Sequence, residues 1–347
     1  MGLLPHQVDG LVQATEPFRA RRKWVDISLE HAKFVASRIN DSKKVRRRGG
    51  PDLRHTLQVL TPDTARASGM YAQDITNVQE LATEMVVPWA MYTNNWSYDI
   101  LEPLFQSDRE TIFDVLLMRE HACMSGLAML RERWLWGEPS SSADQRALGV
   151  PYWVRKASSA TTGTFGGGNP TGSGLTGGCG GVSSTTYPTW RNWHFTYAAP
   201  TVDDLVKKIK DALWNTDFDP PDKYDRLVFG PDDTALFTTR SVLEPLERLA
   251  ESRNDNLGAD LAKYVNKVVI AGIPIEAVHY LENNDTSDPV YGINFRHFRP
   301  FVKTGVDMLR TFKHAPLQRH VRQYHYDTAG NYMMLDRREG GWVGHVL

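Results

Sequence analysis

The chain has 347 residues, 41% of them hydrophobic and 23% charged, with a formal net charge of −1. That size and balance leave room for roughly two globular domains and exclude a disordered or collagen-like chain. The charge is unevenly spread: residues 1–54 hold twelve Lys/Arg against six Asp/Glu, 55–295 nineteen against thirty-one, and 296–347 nine against four.

Residues 1–40 show no sustained apolar period and include "RARRKW", which predicts an extended arm with at most a short helix around 29–39. Charges within the first thirty residues leave no apolar core for a signal peptide, and no apolar run reaches membrane-span length, so the expected location is the compartment of synthesis. The stretch 43–76 combines a basic strand, a Gly-Gly-Pro-Asp turn and the alternating Leu57 and Val59, which predicts one or more β-hairpins. Next comes a long helix at about 108–136, opened by Ser107 with Glu110 as a capping box. Ile112, Leu116, Cys123, Leu127, Leu130 and Trp134 form its apolar stripe, and Gly137 and Pro139 end it. Cys123 is therefore expected to be buried.

In "GTFGGGNPTGSGLTGGCGG", residues 163–181, ten of nineteen residues are glycine. Gly172, Gly174 and Gly177 fit a G-x-G-x-x-G spacing, but no helix-forming sequence follows and no lysine stands where a phosphate loop needs one. So much glycine maximises the entropy lost on ordering, which predicts a mobile surface loop with little packing and an exposed Cys179. Beyond it, Trp193, Phe195 and Tyr197 alternate along a strand as core packing or as a stacking row for bases or sugars. Thr201 with Asp204 resembles a capping box opening "VDDLVKKIKDALWN". A second helix lies at 241–252, "KVVIAGIPIEAVHYL" turns at Ala271-Gly272, and the tail from 289 is rich in β-type segments. The class is mixed α+β without βαβ repetition.

Sequence chemistry is sparse. G-x-S-x-G, H-E-x-x-H, a P-loop and paired cysteines at metal spacing are all absent. His314, His320 and His325 share no helical face, and the acidic "DFDPPDKYD" at 217–225 lacks the Gly and terminal Glu of a calcium loop. No catalytic residue, cofactor or metal is expected, and the chain reads as a non-enzyme.

The stretch 201–302 resembles the central part of tailed-bacteriophage major capsid proteins of the Hong Kong 97-type fold. The segments that carry the resemblance are "TVDDLVKKIKDAL", "NDNLGADL", "VVIAGIPIEAV" and "DPVYGINFRHFRPF". Earlier segments match in kind, and "RQYHYDTAGNYMMLDRRE" looks like the closing strands of the peripheral domain. The resemblance implies an N-terminal arm at 1–42 and an extended loop at 43–76. It implies a peripheral domain at 77–200 and 286–347 with a spine helix, and an axial domain at 201–285. The Gly-rich region 138–186 exceeds what the family core requires and is read as an insertion.

The function so implied is a subunit forming hexamers and pentamers of an icosahedral shell around double-stranded DNA. Its partners would be itself, a portal, a scaffold and decoration proteins, and its location the virion, with assembly in the host cytoplasm. Lys43, Lys44, Arg46, Arg47, Arg48, Arg54, Leu57 and Val59 are the expected inter-subunit contacts, the basic residues docking on an acidic neighbour. The alternative is a non-enzymatic nucleic-acid or glycan binder that uses the basic arm and aromatic strand.

Overall fold

The computed structural model describes residues 28–30, 33–60, 67, 70, 80–101, 109–172, 177–218, 233–252, 268–314 and 320–347. Most of the arm, the Ser107–Glu110 cap, the Ile112 side chain and most of 217–225 lie outside them. The chain divides into two compact units, one of Met1–Gly49, Ala90–Arg133 and Phe301–Gly330, the other of Gly50–Trp89, Trp134–Pro300 and Asn331–Leu347.

In the first unit, helix α1 (Val35–Ser42) precedes the short basic strand β1 (Val45–Arg47). Strands β4 (Ala90–Asp99), β12 (Leu309–His314) and β13 (Val321–Met334) are antiparallel, with Tyr324 opposite both Phe312 and Trp96. Side chains at alternate positions therefore share a face, and Trp96, Tyr98, Tyr324 and Phe312 form an aromatic row across it. Helix α2 (Arg109–Leu135) lies on that face: Cys123 packs with Trp96 and Tyr326, and Asn94 Nδ2 donates to Cys123 O at 2.7 Å. Cys123 and Leu127 are buried as the apolar stripe predicts, while Leu116 and Leu130 are half-buried. The stripe does not reveal Glu132, fully buried on the same helix, whose carboxylate accepts from Ala36 N at 2.7 Å. A carboxylate there satisfies a first-turn N–H of α1 that has no intrahelical partner.

The second unit holds a seven-stranded sheet in the order β5-β6-β14-β10-β7-β9-β8. Its strands are β5 (Thr164–Gly167), β6 (Asn192–Thr196), β7 (Thr234–Thr238), β8 (Val269–Ile270), β9 (Ile273–Ala277), β10 (Val290–Asn294) and β14 (Gly341–His345). Short helices α3 (Val150–Trp153), α6 (His279–Asn284) and α7 (Arg337–Gly340) join it, while α4 (Lys207–Thr216) and α5 (Arg240–Ser252) help form the core. Thr201 caps a π turn at Val202–Val206 ahead of α4: its side chain accepts from Asp204 N, and the Asp204 carboxylate accepts from Ala198 N and Ala199 N. The β8–β9 turn forms at Ala271 and Gly272, both with positive φ. Phe195 and Tyr197 are buried in the core with Leu205, Ile209, Leu236 and Trp342, so the aromatic row is packing and offers no stacking platform.

Two expectations need correction. The hairpin expected within 43–76 has a different partner: β2 (Asp52–Gln58) pairs antiparallel with β3 (Ala82–Pro88), while β1 runs parallel to β11 (Phe298–Lys303). The Gly-Gly-Pro-Asp segment thus separates two strands that do not pair.

The Gly-rich stretch is the second correction. Thr164, Thr171, Gly177 and Gly181 are exposed, but Gly167, Gly178, Cys179 and Gly180 are buried; Cys179 is 0% exposed, its Sγ donating to Tyr152 O and its thiol pKa pushed up by burial. Gly180 has φ +63° and comes so close to the core that an added Cβ would lie 2.5 Å from Met85 Cγ. Composition weighed only the entropy of the free chain. What decides is that glycine lets backbone approach side chains as large as Trp153 and Met85.

Arg337 completes this packing. It is fully buried, and its guanidinium donates to Trp153 O and Trp190 O at 2.9 Å, Gly168 O and Asn192 Oδ1 at 3.1 Å, and Gly167 O at 3.3 Å. Burial pulls its pKa down from the ordinary value, and backbone oxygens do the work a carboxylate would otherwise do. Asn192, also buried, accepts from Arg155 N and donates to Arg155 O and Trp193 O.

Candidate assembly surface

The expected contact residues fall into two groups. Lys43, Lys44, Arg46, Arg47 and Arg48 lie on and around β1, in the first unit, whereas Arg54, Leu57 and Val59 belong to the β2–β3 ribbon in the second.

Around β1 the basic run already has partners in its own chain. Lys44 Nζ lies 2.6 Å from Asp307 Oδ2 and Arg46 Nη2 3.8 Å from the same oxygen, while the Arg47 guanidinium sits 5.7 Å over the Phe301 ring. The parallel register Val45↔Phe301, Arg46↔Val302, Arg47↔Lys303 fixes these side chains, and Thr304 N donates to Arg47 O at 2.8 Å. Part of the charge expected to reach an acidic neighbour is therefore met by Asp307. Arg46 remains 67% exposed and Arg48 is exposed too, so the strand still presents cationic heads to solvent.

The β2–β3 ribbon has two unlike faces. Leu53, Leu57, Met85 and Val87 are buried on one, while Arg54 and Glu84 pair at 3.3 Å on the other. Val59 N donates to Leu81 O at 2.9 Å, extending the pairing beyond the strands. Among the described residues the ribbon pairs with no third strand, and a two-stranded ribbon is marginal alone. Two hydrogen bonds anchor it: Val86 N donates to Gly180 O at 2.9 Å, tying β3 to the Gly-rich stretch, and Asn331 Nδ2 donates to Pro88 O at 2.8 Å at the end of β3.

Among the described residues no group of three or more His, Cys, Asp or Glu could hold a metal, and no helix is long and apolar enough to cross a membrane. No protein-family model matches the chain, and no curated protein matches it. Solved structures do. The Cyanophage A-1(L) capsid asymmetric unit matches with a TM-score of 0.61 at 13% identity, over 92% of this chain and 94% of that one. This chain has a phage capsid fold. The capsid of the native GTA particle gives 0.56 at 10% identity, over 96% and 97% of the two chains. The Gordonia phage Cozz structure gives 0.51 at 10% identity, over 94% and 90%. At such identities the similarity is one of backbone architecture.

Proposed function

We propose that this chain is the major capsid subunit of a tailed phage, assembling as hexamers and pentamers into an icosahedral shell around double-stranded DNA. The observation that carries the reading is reciprocal coverage: at least 90% of this chain and of each of those capsid chains align. The chain has little beyond a capsid subunit to devote to another task, and it is read as a non-enzyme. A two-stranded ribbon and a basic strand whose Arg46 and Arg48 heads are exposed are the surfaces a repeating assembly would use. The domain reading of arm, extended loop, peripheral and axial regions goes with this proposal. So do a portal, scaffold and decoration proteins as partners, DNA held by non-specific contacts, and assembly in the host cytoplasm.

Expression of the chain followed by size-exclusion chromatography and negative-stain microscopy tests it. Capsomers or shells are expected. A monodisperse 39.2 kDa monomer that binds nucleic acid would refute it and favour a basic-strand binding protein instead.

A further inference from the structure

The segment from the π turn into α4 carries a stripe at four-residue steps: Val202, Val206, Lys210 and Trp214. The first three line one wall of a groove of about 230 Å³, and the other walls include Leu246, Leu249 and Val269. Val269 is 55% exposed at its mouth. The fourth member does not enter the groove of its own chain. Trp214 is 84% exposed, the largest side chain among the exposed apolar residues described.

We propose that Trp214 of one copy seats in this groove on a neighbouring copy. The groove is smaller than the roughly 300 Å³ at which small-molecule pockets begin, so a side chain suits it better than a ligand. Its lining is apolar apart from Lys210, which matches an indole, and tryptophan is among the residues most enriched at the energetic centres of interfaces. Charge agrees as well. Exposed Asp211 stands one turn before Trp214 on the knob, and exposed Lys210 borders the groove, so the incoming helix brings an acid to a base. Knob and groove adjoin on one stripe, so every copy offers both and the contact joins unlike residues of two copies. The inference rests on the shell-subunit reading, because it needs many copies in contact.

The test mixes full-length chains carrying Asn215→Cys with full-length chains carrying Ala250→Cys, both exposed positions, beside the knob and on the groove wall. After co-assembly and air oxidation, a disulfide-linked dimer is expected on a non-reducing gel from the mixture and not from either chain alone. Trp214→Ala in the first chain should abolish it and weaken capsomer association about 30-fold or more, the loss seen at an aromatic hot spot. Circular dichroism is expected to stay unchanged. Normal capsomers or shells that yield no mixed dimer would overturn the knob-in-groove contact and leave the shell reading intact. Failure of the unaltered chain to assemble would overturn the shell reading, and this contact with it.

Discussion

Replacing Arg337 by methionine tests whether a buried cation holds the Gly-rich stretch in place. The methionine keeps an unbranched apolar stem as far as the position of Nε and removes five hydrogen bonds, to Trp153 O, Trp190 O, Gly167 O, Gly168 O and Asn192 Oδ1. Asn192 Oδ1 keeps Arg155 N, so four acceptors, Trp153 O, Trp190 O, Gly167 O and Gly168 O, lose the guanidinium. At roughly 1.5 kcal/mol for each the loss is about 6 kcal/mol. Relief of the cation's own desolvation offsets part of it, leaving a net of about 3–5 kcal/mol, the usual cost of breaking a buried charged network. For a chain of this size that lowers the melting midpoint by roughly 4–7 °C. Thermal unfolding followed by circular dichroism reads the shift, and thermolysin digestion below the midpoint should cut within 163–181, where Phe165 and Leu175 offer sites. Arg337→Lys keeps the charge on one nitrogen with three donors and should fall between the two. A methionine variant that melts within a degree of the parent and resists thermolysin would show that Arg337 is not what holds the segment.

Removing the carboxylate with Glu132→Ala should cost α1 about 0.5–2 kcal/mol, the value of a lost helix cap, and is checked by faster amide exchange across 35–42. Replacing Arg46, Arg47 and Arg48 by Glu should leave the circular-dichroism spectrum unchanged and prevent shell formation. Intact shells that hold DNA less well would assign the strand to nucleic acid instead. The Asp285 carboxyl is pushed up by burial, but the Lys156 ammonium and bonds from Ser287 outweigh this and hold it below its ordinary value of 3.8. Its stabilisation is therefore present above that value and lost as pH falls through the folded one. Between about pH 5 and about pH 2 the parent should lose melting temperature more steeply than Asp285→Asn, and parallel curves would contradict this.

Features governed by near neighbours were legible in the sequence. The long helix, expected at 108–136, runs from Arg109 to Leu135, because its stripe and its Gly/Pro terminator are local signals. The Thr201–Asp204 cap and the Ala271-Gly272 turn formed for the same reason. Strand partners were not legible. The pairing of β1 with β11 joins residues more than 250 positions apart, and the partner of β2 begins at Ala82, outside the boundary that turn chemistry suggested. Register in a sheet comes from which faces must be buried, and that depends on the whole fold. Arg337 was hidden differently: in "LDRREGG" it looks like one charge of a surface turn, and nothing in the neighbouring letters separates it from Arg338.

The Gly-rich stretch shows how one residue type serves two opposed ends, and two neighbouring glycines can separate them. Gly180 and Gly181 both have positive φ, +63° and +79°, so alanine at either position pays about the same 1–2 kcal/mol for a left-handed backbone. Their surroundings differ. A Cβ at Gly180 would lie 2.5 Å from Met85 Cγ and 3.2 Å from Trp153 Cη2, whereas a Cβ at Gly181 meets nothing within 4 Å. Met85 and Trp153 are both 0% exposed, so neither can swing into solvent to make room. Gly180→Ala should therefore be about 1–3 kcal/mol more destabilising than Gly181→Ala, the cost of overpacking alone. Because Gly180 O also holds Val86 N, amide exchange at Val86 should quicken in the first variant and not in the second. Equal melting midpoints would mean that glycine is present here only for its φ, and that the ribbon is not anchored through this close approach.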